Sequence, residues 1–341
     1  MIFMWVLPPP LKNNMLTNYI DKFSSLNTDK SKSRWGEETN YRAPHKPLLL
    51  LAILDLFAEG SIQTNLIELS EELGELFSLY WSKITPQNRL YGNIAMPFFH
   101  LRSDGFWHLL PRPGKELFLE SIPRIHSATI LKETIFGAKL DDELFGLMSS
   151  EDARNVLRRA LIETYFATYL HSQLLAQAII NVNSYKYSEK LLGEAKHQQI
   201  KEATVKFEAA PTQEVRDQGF RRAIVKAYNH RCAFCGVRIL TADGHTAIAA
   251  AHIIPWSISK NDDPRNGLAL CPLCHWTFDE GLVGITDHYL IRLSPQLSAN
   301  ANIPGHLVTV ADRKLIGPVD EILWPYLESV RWHRKEVFRS I

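Results

Sequence analysis

The chain has almost no cysteine. Its 341 residues contain four, and all four fall in two C-x-x-C pairs, "CAFC" at 232–235 and "CPLC" at 271–274. Nor does it carry an internal repeat, a low-complexity tract or strong net charge: 38 Lys and Arg face 37 Asp and Glu, for a net charge of +1. Each scarcity excludes something. Two isolated pairs do not make a disulfide scaffold. The apolar start "MIFMWVL" has no basic flank and runs into "PPP", so it does not read as a signal peptide or a membrane span. The longest stretch free of charged residues, 166–185, is interrupted by His, Ser, Gln and Asn and reads as an amphipathic helix. A cytoplasmic protein is expected, where paired cysteines are more often metal ligands than disulfides. Balanced charge does not announce a polyanion binder, so only local clusters can speak for one.

Composition is that of a soluble globular protein, 45% apolar and 22% charged, long enough for two domains. The first half is helix-rich. "HKPLLLLAILDLFAEG" (45–60) has Pro near its start and Gly at its end, the punctuation of a buried helix. Helices are also predicted over 66–84 and 151–180. "NIAMPFFHLRSDGFWHLLP" (93–111) reads as a β-hairpin turning at "SDG". The polar stretch 183–213 lacks an apolar face and reads as a linker. Two basic clusters follow it. Arg216, Arg221, Arg222, Lys226, Arg231 and Arg238 face only Asp217, and Arg331, Arg334, Lys335 and Arg339 face Glu336. Each is a candidate nucleic-acid face or a solvated helix surface.

Cys232, Cys235, Cys271 and Cys274 have the spacing of a tetrahedral Zn²⁺ site. Their pairs are separated by 35 residues, more than the ~15–20 of a simple zinc ribbon, so the knuckles read as a staple around an inserted element. That element holds His252 at the end of an apolar strand, "TAIAAAHIIP", then Asn266 in "DDPRNGLAL". His275 opens a helix, with Asp279 one turn on and on the same face. His245 reads as structural. "AHIIPW" and "NGLALCPLCHWTFDEGL" between C-x-x-C pairs resemble the HNH endonucleases, over residues 216–290. The resemblance implies a ββα-metal fold. In it His252 would be the general base that activates water, Asn266 would brace the loop orienting it, and His275 would ligate a divalent cation, Mg²⁺ or Mn²⁺, with Asp279 as a second ligand. Many members carry Asp or His just before the base; here the residue is Ala251. The chemistry is sound in its own right, since an anionic phosphodiester needs both a base for the water and charge relief on the phosphate.

Upstream, "YRAPHKPLLLLAILDLF" and "MPFFHLRSDGFWHL" resemble the sulphur-binding domain of McrA-type HNH restriction enzymes, which recognises phosphorothioated DNA. Over residues 40–120 the resemblance implies a niche for sulfur from Pro97 with Met96, Phe98 and His100. Sulfur is more weakly hydrated than oxygen, and a proline ring offers only C–H. Met96 stands where the family often has Tyr. Arg42, His45 and Lys46 are candidates for phosphate or base-edge contacts.

The expectation is thus an α+β chain. A helix-rich DNA-reading domain with a β-hairpin (1–180) precedes a helical linker (181–213) and a zinc-stapled ββα-metal HNH domain (214–341). Double-stranded DNA, phosphorothioated, is the expected partner, with a homodimer if both strands are cut and no membrane association. An HNH nuclease reading a methylated base or unmodified DNA is the alternative, as is a zinc protein that binds DNA without cutting it.

Overall fold

The computed structural model describes residues 11–84, 92–197, 211–298 and 305–340, and the chain divides into two units. It is helix-rich α+β, with three two-stranded antiparallel sheets among the described residues. The first unit comprises residues 1–182 with 242–245, the second 183–241 with 246–341. No helix among the described residues is long and apolar enough to cross a membrane.

In the first unit, α1 (Leu11–Ser24), α2 (His45–Glu59) and α3 (Glu71–Ile84) precede the short α4 (Ala95–His100) and β1 (Trp107–Pro111). Then come α5 (Glu116–Ser121), α6 (Ala128–Thr134), β2 (Ile135–Leu140), α7 (Asp142–Met148), α8 (Glu151–Tyr165) and the start of α9 (Thr168–His197). Helix α2 is apolar on nearly every side, so it becomes the buried axis on which α3, α4 and α8 pack. It ends as its sequence predicts: Gly60 takes φ +77° and its N–H reaches back to the Leu56 and Phe57 carbonyls.

Two local readings are corrected. The helix predicted from 66 begins only at Glu71, because Ser70 accepts a hydrogen bond from Leu73 N and starts the helix there. Residues before it are extended, and Ile67 exchanges two 2.8 Å backbone bonds with Ala138 of β2. That approach needs Gly137, where a Cβ would sit 2.4 Å from the Ile67 carbonyl oxygen. The hairpin over 93–111 does not form either. Residues 95–100 are helix α4, and β1 pairs with β2 instead, Trp107 opposite Leu140. The aromatic run was helical in period: Ile94, Ala95, Phe98, Phe99 and Leu101 all face the core. "SDG" ends a 3₁₀ turn, with Gly105 at φ +76°.

Below this core lies one buried polar network. Asp55 accepts from Arg158 (2.8 Å), Tyr80 Oη (2.7 Å) and Asn181 Nδ2 (2.8 Å), and Gln177 Nε2 donates to Asn181 Oδ1 (2.7 Å). Burial pushes the Asp55 carboxyl upward, against the pull of Arg158. Removing one partner from such a pair strands a buried charge, typically at a cost of about 3–5 kcal/mol.

The stretch read as a linker is, up to residue 197, the second half of α9. Its buried stripe is Ser184, Tyr187, Ser188, Leu191 and Ala195, with helical spacing but little hydrophobicity. In the second unit it is followed by α10 (Gln213–Ala227), capped by the Thr212 hydroxyl, then β3 (Ala249–His252) and α11 (Trp256–Ser259). The chain continues through β4 (Gly267–Leu270), α12 (Pro272–Asp279), β5 (Val283–Ile285), β6 (Ile291–Leu293) and α13 (Leu327–Glu336). Helix α10 presses directly on the β3–β4 pair. A Cβ at Gly267 would meet the Ile224 side chain at 2.4 Å, so glycine sets how near the helix can come. From the other side α13 buries His333, whose ring lies flat on Phe278 at 3.7 Å.

Candidate functional site

Strands β3 and β4 run antiparallel with Ala249 opposite Leu270 and His252 opposite Gly267, and α12 follows at once. This is a ββα unit. Its strands are short and nearly all alanine, leucine and glycine, so neighbours must fix its shape.

The cysteines supply one fixture. Cys232 and Cys235 occupy the turn after α10, closed by Gly236 N to the Cys232 carbonyl at 3.0 Å, with Gly236 at φ +76°. Cys271 caps α12 and Cys274 lies within it, and Ala233 N bonds the Ala269 carbonyl of β4 at 2.7 Å. All four sulfurs lie within 4.8 Å of one another, and those of Cys235 and Cys271 are 3.8 Å apart. A tetrahedron with Zn–S near 2.3 Å has edges of about 3.8 Å, so donor set and spacing both fit zinc. Thiol donors from Cys271 and Cys274 pull the Cys232 thiol below its ordinary range. Among the described residues this is the only group of three or more potential ligands so placed.

Asn266 supplies the second fixture. It is fully buried, and its amide holds the "HIIP" loop from both directions. Its Nδ2 donates to the carbonyls of Ile254 (3.0 Å) and Asn261 (3.1 Å), and its Oδ1 accepts from Ile254 N (3.0 Å). The Asn266 carbonyl also accepts from Ile253 N at 2.8 Å.

His252, at the end of β3, is held by its ring. The face stacks on Phe220 of α10 at 3.8 Å and 7°. Its Nε2 lies 2.7 Å from Asp262 Oδ1, and no group among the described residues bonds its Nδ1. Asp262 is buried, and its other oxygen accepts from Tyr187 Oη of α9 at 2.7 Å, with Arg216 Nε at 3.8 Å. Asp262, Tyr187 and Phe220 were not singled out by the sequence reading. The adjacent acids in "NDDPRN" were a visible signal for the first; no local signal marks the other two.

On α12, His275 Nε2 and Asp279 Oδ2 lie 3.4 Å apart on a solvent-facing side, as their spacing predicts. Ala251 is buried and offers no ligand. Several members of the basic clusters are engaged within the chain. Arg216 pairs with Asp217 and covers Trp256 at 3.6 Å, Lys226 pairs with Glu189, and Arg331 and Arg334 share Asp287.

In the first unit the start of α2 and the end of α4 meet. Lys46 is buried and spent on Asp104 at 2.6 Å, and so is not an open phosphate contact. His45 packs between Trp35 and Trp81, and burial pushes it down to about 4, so it carries no charge near neutrality. Phe98 belongs to the core: its ring meets Trp107 edge-on and its carbonyl accepts from the Trp107 indole at 2.8 Å. Pro97 is buried in the first turn of α4, where a missing N–H costs nothing, while Met96 and His100 remain half-exposed. Arg42 lies over the Tyr165 ring at 5.6 Å. Burial lowers the His100 pKa, and so do the charges of Lys46, Arg102, His126 and Arg124. The last two are exposed, and the sequence reading did not include them.

Residues 17–181 match the family model described as the ScoMcrA-like DNA sulfur-binding domain, and residues 232–286 match that of the HNH endonucleases. Among solved structures, one titled "Modification dependent TagI restriction endonuclease" matches at 25% identity, with 39% of this chain and 44% of that chain covered and a TM-score of 0.28. The chain therefore spans less than half of that protein. No curated protein matches.

Proposed function

We propose that this chain is a modification-dependent restriction endonuclease, because residues 17–181 match a ScoMcrA-like DNA sulfur-binding domain and residues 232–286 an HNH endonuclease domain. It binds phosphorothioated duplex DNA through the first unit and hydrolyses a phosphodiester nearby through the second. The observation that carries this reading is His252, held at the mouth of a zinc-stapled ββα unit with one ring nitrogen unbonded. His252 takes the proton of the attacking water. Asn266 keeps the loop after His252 in place. His275 and Asp279 would hold a divalent cation, an N/O donor pair suited to Mg²⁺ or Mn²⁺, which when bound would neutralise charge on the phosphate and leaving oxygen. Cutting both strands requires two such sites, hence a homodimer on the DNA, and a cytoplasmic location fits a defence against foreign DNA.

We assign the sulfur to the surface of α4 at Met96 and His100, with buried Pro97 beneath. Arg42, Arg124 and His126 would meet flanking phosphates. Phe98 acts only by packing behind this surface, His45 shapes it uncharged, and Lys46 shapes it while paired with Asp104. The full chain is expected to bind a duplex with one phosphorothioate more tightly than the same duplex with phosphate, and for one phosphorus stereoisomer only. Salt should weaken both in parallel, since counterion release is common to both, and leave their ratio unchanged. Arg124→Ala should weaken both duplexes alike, whereas Met96→Asp should lower the ratio. Equal affinity for both duplexes across several flanking sequences removes the sulfur assignment. Cleavage of methylated or unmodified plasmid would then name the alternative target, and absence of cleavage with Mg²⁺ or Mn²⁺ would leave a DNA-binding protein.

A further inference from the structure

We infer that Asp262 is a positioning residue that selects the tautomer of His252, and that Tyr187 fixes the carboxylate that does so. The inference rests on the nuclease reading for its catalytic meaning, but its chemical content does not.

A neutral imidazole has one N–H and one lone pair, and the partner of one nitrogen decides the role of the other. Asp262 lies 2.7 Å from Nε2 and is only 5% exposed at its side chain. A carboxylate can only accept, so the proton sits on Nε2 and the lone pair on Nδ1. Nδ1 is the nitrogen with no partner among the described residues, on a ring whose side chain is 21% exposed. The lone pair is therefore presented outward, where a water can reach it. Phe220 prevents the ring from tilting, and Asn266 fixes the backbone on both sides of the carboxylate's loop.

Tyr187 determines which way the carboxylate faces. Its hydroxyl donates to Oδ2 at 2.7 Å, and Arg216 Nε stands 3.8 Å from the same oxygen. Both neighbours are donors, so an oxygen belongs on that side. This makes Asp262→Asn informative. Its amide would keep oxygen toward Tyr187 and Arg216 and turn its NH₂ toward His252. Nε2 would then have to accept, the proton would move to Nδ1, and the outward lone pair would be lost. Asp262 bonds the ring, and Tyr187 and Arg216 face that carboxylate; α12, packed on β3, carries Cys274, His275 and Asp279.

The test uses the zinc-loaded full chain with ¹⁵N-labelled histidine. Long-range ¹H–¹⁵N spectra at alkaline pH report the tautomer, with His252 assigned from His252→Ala. The expected result is Nε2–H in the native chain and in Tyr187→Phe, and Nδ1–H in Asp262→Asn. Nδ1–H in the native chain, or no change in Asp262→Asn, overturns the inference whether or not DNA is cut. Single-turnover cleavage then tests its meaning. Asp262→Asn should lose about 10²-fold or more at unchanged DNA affinity, as expected when a general base is presented in the wrong tautomer, and Tyr187→Phe should lose far less. A switched tautomer with an undiminished cleavage rate also overturns the positioning role. The expected tautomers in a chain that cuts no DNA would remove the nuclease reading and leave the inference standing.

Discussion

His252→Ala is expected to lower DNA cleavage by about 10²- to 10⁴-fold, the contribution general-base catalysis commonly makes. DNA affinity should stay the same. A base acts on the proton as the transition state forms and adds little to ground-state binding, so the loss belongs in the rate and not in the dissociation constant. The fold should also survive, because His252 is on the rim of the ββα unit and Asn266, not His252, holds the loop together. Single-turnover cleavage and a binding isotherm on the same preparation decide it. Cleavage near the native rate would remove His252 from the chemistry and with it the HNH reading of this site.

Cys232→Ser or Cys271→Ser is expected to unfold the second unit. Structural zinc contributes about 10–16 kcal/mol of apparent binding free energy in small domains, while whole domains are stable by only about 5–15 kcal/mol. Here the strands that zinc would hold are four residues each, with alanines opposite leucine and alanine and His252 opposite glycine, so they offer few large side chains of their own. Loss of the metal therefore removes the main constraint between the turn at Cys232 and the start of α12. Zinc content, proteolytic resistance of residues beyond 211 and calorimetry measure the outcome together. A zinc-free variant that stays folded and cuts normally would show the cluster to be dispensable.

What the sequence disclosed is explained by how local each signal was. The four-cysteine cluster was legible because ligand spacing and turn chemistry act within a few residues. The partner of His252 was not. Asp262 reaches it by way of α11 and the turn after it, and Tyr187 comes from 75 positions away in the chain. The buried face of the expected helical linker escaped notice for the same kind of reason. Half of α9 buries Ser184 and Ser188 beside Tyr187 and Leu191, a stripe that hydrophobic periodicity passes over. The misread hairpin has a different one. A Gly after an acid serves equally as a β-turn and as the left-handed end of a 3₁₀ turn, and the burial of Phe98 and Phe99 decided between them. Among the first unit's candidates, charge and proximity in sequence did not reveal that Asp104 already engages Lys46, because that pair closes over 58 positions.

The stack of His333 on Phe278 gives the second unit an acid limit. His333 Nε2 bonds the Phe278 carbonyl at 3.0 Å, while its Nδ1 is buried without a partner, so a second proton would have nothing to bond. Burial accordingly lowers this imidazole from 6.5 to about 4. Unfolded, the same ring takes up its proton near 6.5. Between those two values the unfolded chain binds more protons than the folded one, and stability rises with pH. The contribution is complete above about 6.5 and drains away as the medium is acidified toward 4. A ring that helps to seat α13 thus also makes acid an unfolding agent for the unit, independent of any metal or DNA.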